Sequence, residues 1–121
     1  MNSFTVVGNL TSDPEMKEGA SGKGYATFSV AWNEKYRDGK GVEKEHTSFF
    51  RCIAYDKKAE FIGRHFSKGD RVLVSGKLRI EKYTPKDGGP ERESASITVN
   101  EITHAQWKKT EKQQASNDDW V

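Results

Sequence analysis

Thr47-Ser48-Phe49-Phe50-Arg51-Cys52-Ile53-Ala54-Tyr55, running directly into Asp56-Lys57-Lys58-Ala59-Glu60-Phe61-Ile62, contains the change of period that decides the fold. Up to Tyr55 the residues read as a strand, whose side chains alternate between faces. Phe49, Arg51, Ile53 and Tyr55 then share one face, and Phe50, Cys52 and Ala54 share the other. Beyond Asp56 the apolar residues recur at Ala59, Ile62 and Phe66, the i, i+3, i+7 spacing of a helix. Asp56 is placed to serve as its N-cap and Gly69 to close it at C′. Gly63 inside this helix costs about 1 kcal/mol relative to Ala, so tertiary packing must hold it.

Working outward, Tyr25 to Tyr36 forms an earlier strand in which Ala26, Phe28, Val30 and Trp32 share a face, and that phase assigns Trp32 to the core. The polar, glycine-rich Arg37-Asp38-Gly39-Lys40-Gly41 joins it to the Thr47–Tyr55 strand as an antiparallel hairpin. Upstream, Phe4-Thr5-Val6-Val7-Gly8 is a first short strand, stopped by the turn chemistry of Asp13-Pro14. Downstream, Arg71 to Tyr83 alternates with Val72, Val74, Leu78 and Ile80 inward, and a loop from Thr84 to Pro90 leads to a fifth strand near Ser94–Ile102. Three strands, a helix and two strands predict an all-β chain: a five-stranded Greek-key barrel of the OB type, with one short helix between strands 3 and 4. Its two long loops would be 37–45 and 84–93. A sandwich would need more strands, and a ferredoxin-like fold a helix directly after the first strand.

The chain has 121 residues, enough for one domain. Hydrophobic residues make up 33%, and even with glycine counted the apolar share stays below the roughly 45–50% typical of globular domains, so the core must be thin. From about Thr110 the composition turns polar and ends Asp118-Asp119-Trp120-Val121, which predicts a domain over residues 1–109 and a short disordered tail over 110–121 with an acidic, apolar tip. The tail carries net −2, leaving net +4 on residues 1–109. The single cysteine, the start without a basic-then-apolar leader and the lack of a run of about 20 apolar residues predict an intracellular protein that does not enter membranes.

If Phe50, Cys52 and Ala54 fill the barrel, Phe49, Arg51 and Tyr55 form an exposed aromatic–cation–aromatic row. Bases stack on such rings for about 1–3 kcal/mol each while Arg meets phosphate or stacks as well. The next strand repeats the arrangement, with Lys77, Arg79 and Tyr83 opposite its apolar face. Strand aromatics are usually core and strand cations usually a solvated face, but a thin single-layer barrel cannot bury both sides of a strand. Trp107 is assigned to neither role. Catalysis finds little support. His46, His65 and His104 are scattered and fit no ligand spacing, and Cys52 lies on the buried phase, so neither a metal site nor a thiol site is indicated. Glu43 and Glu45 beside Asp38 could in principle hold Mg²⁺ for nuclease chemistry, but a solvated charge run in a loop is the simpler reading. No cofactor is indicated either, since Gly19, Gly22 and Gly24 match neither phosphate-binding glycine spacing.

Four stretches, in order, resemble the bacterial and phage single-stranded DNA-binding proteins: Val6 to Glu15 (VVGNLTSDPE), Ala26 to Ala31 (ATFSVA), Thr47 to Cys52 (TSFFRC) continuing to Lys58-Ala59-Glu60, and Lys68 to Arg79 (KGDRVLVSGKLR). The similarity covers roughly residues 4–105. It implies an OB fold, assembled as a homotetramer with a dimer as the alternative. It also implies a function: coating single-stranded DNA without sequence preference in replication, recombination and repair, with no reaction catalysed. The family's stacking aromatics would be Tyr36, Phe49, Tyr55 and Tyr83, and its phosphate-binding cations Arg51, Lys57, Lys68, Arg79 and Lys82, to which strand phase adds Lys77. The tip Asp118, Asp119, Trp120 and Val121 resembles the family's docking tip for replication and repair proteins, although the usual ending is Pro-Phe. The implied location is the bacterial cytoplasm or nucleoid, whether the coding element is chromosomal, phage or plasmid. Two departures stand out: Asn9 follows the first-strand glycine where a basic residue is common, and Glu81 sits among positions that are often basic. A primosome-type OB accessory protein would lack the acidic tip, and a cold-shock RNA binder would carry aromatic motifs that this chain lacks.

Overall fold

Strands that bury one face and solvate the other can satisfy both needs by curling into a barrel, and this chain does so. The structure, a computed structural model, describes residues 1–20 and 22–105. The elements are β1 (Phe4–Leu10), β2 (Glu15–Glu18), β3 (Gly24–Arg37), β4 (Glu43–Tyr55), α1 (Asp56–His65), β5 (Arg71–Tyr83) and β6 (Arg92–His104). The sheet order is β1-β5-β6-β4-β3-β2, and pairing of Asn9 and Leu10 with Ala31 and Val30 closes the five long strands into an OB-type barrel. Only the short β4–β6 contact is parallel. The expected domain boundary at 109, Trp107 and the tip residues lie outside the described residues.

The interior is filled by Val6, Leu10, Phe28, Val30, Cys52, Ala54, Val72, Val74, Ile97 and Val99, with Ile62 and Phe66 of the helical segment plugging one end. Burial pushes the Cys52 thiol up to about 12, so it stays protonated and unreactive at neutral pH. Two glycines permit the close strand approaches that closure requires. A Cβ at Gly8 would run into the Ala31 carbonyl, and one at Gly76 into the Thr98 carbonyl. Beside Gly76 the β5–β6 register shifts by one residue, which resets the inward phase of β6 from Ile97 and Val99 to Ile102.

Several local expectations are corrected. Sequence reading passed over β2, because Glu15-Met16-Lys17-Glu18 is exposed throughout and has no alternation to detect. It forms by pairing with Gly24–Thr27 of β3. Met16 lies over α1, where a Cβ on Gly63 would stand 3.0 Å from its sulfur, so the helix glycine makes room for that contact. Asp56 is the first helical residue rather than the N-cap, at φ 54°, and Tyr55 precedes it with no side-chain cap bond. The helix ends at His65, before Gly69. Gly69, at φ 90°, instead shapes a turn that donates its N–H to the Leu10 carbonyl while Leu10 N–H donates to the Asp70 carbonyl, both at 2.9 Å. The first expected long loop is shortened to residues 38–42, since β3 and β4 continue in register to Arg37 and Glu43. The second is shortened because β5 and β6 pair out to Tyr83 and Arg92. Trp32, assigned to the core, is 37% exposed, and Ile80, assigned inward, is 59% exposed. Both keep the inward phase but lie where their strand pair has run past the barrel, so the described residues leave that face partly open.

Candidate nucleic-acid interface

The outer face of the sheet from β3 to β5 is built by register. Tyr25 opposes Tyr55 with ring centroids 6.2 Å apart, Ser29 opposes Arg51, and Ala31 opposes Phe49. Ile53 pairs with Thr98 of β6, and Thr98 with Lys77 of β5, which carries one row of side chains across three strands. Arg79 pairs with Ser96, Glu81 with Ser94 and Tyr83 with Arg92. Phe49 is 67% exposed and Tyr55 and Tyr83 are 48% exposed each, so the strand-phase expectation for these rings agrees with their placement. Buried Cys52 and Ala54 on the inward phase anchor β4 in the barrel wall, whereas Tyr83 stands at the exposed end of β5, beyond Ile80.

Arg51, Ile53, Glu81, Lys82, Tyr83 and Ser94 line one open cleft of about 450 Å³ between β4 and the β5–β6 hairpin. It brings together Arg51, Lys82 and Tyr83. Among the described residues Arg51 has no ion-pair partner, whereas the Arg79 guanidinium is held by Glu81 through Nε to Oε1 at 2.9 Å. Arg51 also borders a shallower hollow with Ser12, Lys17, Thr27 and Ser29, so its charge lies between two depressions. Free guanidinium next to exposed rings is suited to an anionic polymer of planar groups.

Other expected residues are placed elsewhere. Tyr36 is 46% exposed but pairs with Lys44 on the phase of Phe28 and Trp32, opposite to Phe49. Lys57 stands on α1 and lines a separate apolar groove of about 410 Å³ with Phe61 and Ile102. Lys68 sits in the turn after the helix, where its backbone N–H donates to Asp13 Oδ1 at 2.8 Å. Sequence reading missed Tyr25, Arg92 and the serines of β6. Tyr25 was findable, because an antiparallel hairpin centred near Lys40 puts residue 25 opposite residue 55, but that required a register and not only a pairing. Another hollow, of about 570 Å³, is not on this face. It runs along β1 beside Phe4, Val7, Trp32, Phe50 and Arg71, and its lining lacks the exposed ring-and-cation row.

Known proteins share both the sequence pattern and the architecture. A match to the single-strand binding protein family spans residues 1–105. A protein of Fusobacterium nucleatum named single-stranded DNA-binding protein is 40% identical over 83 residues, 69% of this chain and 54% of that one. Proteins of the same name from Xanthomonas campestris and Neisseria meningitidis are 35% and 34% identical over 102 residues each, 84% of this chain and 59% and 58% of theirs. This chain therefore spans between half and three-fifths of the length of these curated relatives. A solved structure of the Plasmodium falciparum SSB in complex with ssDNA superposes with a TM-score of 0.79 at 28% identity, covering 88% of this chain and 96% of that one. With a family match over residues 1–105, most of its length, the chain belongs to the single-strand binding protein family.

Proposed function

We propose that this chain binds single-stranded DNA with no required sequence and catalyses no reaction. The observation that carries this reading is the row of Phe49, Arg51, Tyr55 and Tyr83, exposed on the outward phase of β4 and β5, with Arg51, Tyr83 and Lys82 lining one cleft. Bases stack on the rings and phosphates meet Arg51, Lys77, Arg79 and Lys82, while Tyr36 on the extended hairpin, Lys57 at the start of α1 and Lys68 after its end lengthen the track. In this reading the protein coats DNA during replication, recombination and repair, in a bacterial cytoplasm or nucleoid, encoded by a chromosome, phage or plasmid.

A second copy of the chain fits β1. One side of β1 pairs with β5 from Phe4 to Asn9, but on the other only Asn9 and Leu10 pair, with β3. The open edge faces the hollow containing Phe4, Trp32 and Phe50, and antiparallel addition of another β1 would satisfy its backbone groups. A homotetramer built from such pairs, or a dimer, is the expected state, and sedimentation as a 13.7 kDa species at micromolar concentration would rule it out. The tip Asp118 to Val121 recruits replication and repair proteins, so deleting residues 116–121 abolishes partner capture and slightly tightens DNA binding.

The deciding experiment is fluorescence anisotropy of an end-labelled oligo-dT of about 35 nucleotides against a duplex of equal length, at low and moderate salt. Tight binding to the single strand alone, weakened by salt, is the expected result. Equal binding to both, or to neither, overturns the reading.

A further inference from the structure

We infer that Glu81 gives this face a preference for cytosine over thymine or uracil, by accepting a hydrogen bond from the N4 amino group of a base stacked on Tyr83. The inference rests on the single-strand reading above and deepens it. Glu81 and Tyr83 are two residues apart on β5, so their side chains leave the same face about 7 Å apart along the strand. Both line the cleft, in which Glu81 is the one acid among the described lining residues. A ring stacked on Tyr83 therefore presents its edge toward that carboxylate.

The carboxylate is paired on one side only. Arg79 Nε donates to Oε1 at 2.9 Å in an exposed ion pair, and Oε2 remains for another donor because an ionised carboxylate offers about four acceptor sites. Cytosine supplies that donor, and a carboxylate accepting from N4 is an established pairing in base recognition. Thymine and uracil place the O4 acceptor at that point and carry their one edge donor, N3–H, a position further along, so a carboxylate set on position 4 meets an acceptor and loses water uncompensated unless the base shifts. Arg51 and Lys82 line the same cleft and as donors suit the O4 of thymine or uracil, so the contribution of Glu81 is the change in preference on its substitution, which leaves both cations in place. Ser94, opposite Glu81 in the register, has a hydroxyl that donates or accepts and suits any pyrimidine. Lys82 Nζ lies 4.0 Å from Glu91 Oε1 at the loop. Stacking on Tyr83 tolerates every base, so Glu81 adds a graded preference to a sequence-tolerant grip.

The test compares full-length protein and Glu81→Gln for binding to oligo-deoxycytidine and oligo-deoxyuridine of about 35 nucleotides. Deoxyuridine lacks the thymine methyl, so the two differ only along the base-pairing edge. The measurement is anisotropy above neutral pH, where cytosine is unprotonated. The expected result is about fivefold tighter binding of deoxycytidine by the unaltered chain, and a ratio near one for Glu81→Gln, whose amide both donates and accepts. A ratio near one or below in the unaltered chain overturns the inference, as does a cytosine preference that survives the substitution. A rise in both affinities by one factor, with the ratio unchanged, shows that Glu81 only neutralises Arg79 and also overturns it. If neither oligomer binds better than a duplex, the single-strand reading itself falls and takes the inference with it.

Discussion

The β3–β4 hairpin contains two regions with the same alternating sequence and opposite surroundings. In the barrel half, residues 24–31 against 49–55, the inward phase is sealed: Phe28, Val30, Cys52 and Ala54 are all under 5% exposed, while Phe49, Arg51 and Tyr55 face water. In the arm, residues 32–37 against 43–48, the phase continues without a break in register, but almost every residue is exposed. Periodicity thus states which side chains share a face, and only the number of layers stacked on that face states whether it is buried. In the barrel half an exposed ring is an exception that a rigid wall holds in water. In the arm exposure is the rule and singles out nothing.

Core truncation in the two halves tests this contrast most strongly. Phe28→Ala should cost about 3–5 kcal/mol of stability, the usual range for a buried aromatic, whereas Trp32→Ala, four residues along the same phase, should cost less than about 1 kcal/mol. Urea denaturation measures both, and equal losses would mean that the arm is covered in solution, for instance by a second copy on the β1 side. Binding should divide the other way. Phe49→Ala on the wall should weaken oligo-dT binding by about 1–3 kcal/mol with the melting temperature nearly unchanged. Tyr36→Ala, on the arm and on the opposite phase, should cost less than about 1 kcal/mol. A larger loss at Tyr36 than at Phe49 would show that the arm, and not the wall, carries most of the stacking.

The same contrast explains what could be read from the sequence. The barrel, its helix and the exposure of Phe49, Tyr55 and Tyr83 were legible because period-2 and period-3.6 patterns report faces directly, and these three rings lie opposite faces that are buried for part of their strands. Trp32 and Ile80 were misassigned for one physical reason: phase persists beyond the end of the barrel, where the covering strands stop. β2 was invisible because four exposed residues on a sheet edge carry no pattern, and their pairing depends on β3 alone. Asp56 and Gly69 were read as helix signals on residue type, yet the helix takes its hold from Ile62 and Phe66 in the core and from Met16 over Gly63. The cleft needed three strands brought together, and no single-strand pattern encodes the position of Arg51 beside Lys82 and Ser94.

Electrostatic effects on the wall should be smaller than stacking effects and separable from them. Each phosphate neutralised contributes about −0.7 to the slope of log K against log salt, so Arg51→Gln should reduce the slope by about that amount with every oligomer tested. Arg79→Gln should reduce it less, because Glu81 already satisfies that guanidinium. Equal changes would mean that DNA displaces Glu81 from Arg79 on binding, which titration of both variants against salt would reveal.

The smallest effect belongs to the tip of the arm. Asp38 accepts the backbone N–H groups of Lys40 and Val42 through Oδ1 at 2.8 and 3.0 Å, and Lys44 lies 3.6 Å from its other oxygen. The Val42 and Lys40 hydrogen bonds, with a lesser contribution from Lys44, hold its carboxyl below the usual range. A group whose folded pKa is depressed contributes stability that is fully present above its unfolded value, about 3.9, and is lost as pH falls through the lower folded value. The turn should therefore keep its form down to pH 4 or so and loosen only in stronger acid, with the Lys40 and Val42 amide resonances moving together below the ordinary aspartate midpoint. Asp38→Asn keeps an acceptor oxygen but loses the charge, so those resonances should stop titrating while the affinity of the wall for oligo-dT stays the same. A change in affinity from this one substitution would mean that the hairpin tip and the barrel wall bind DNA as one unit, and the division between the two halves of the hairpin would then be structural only.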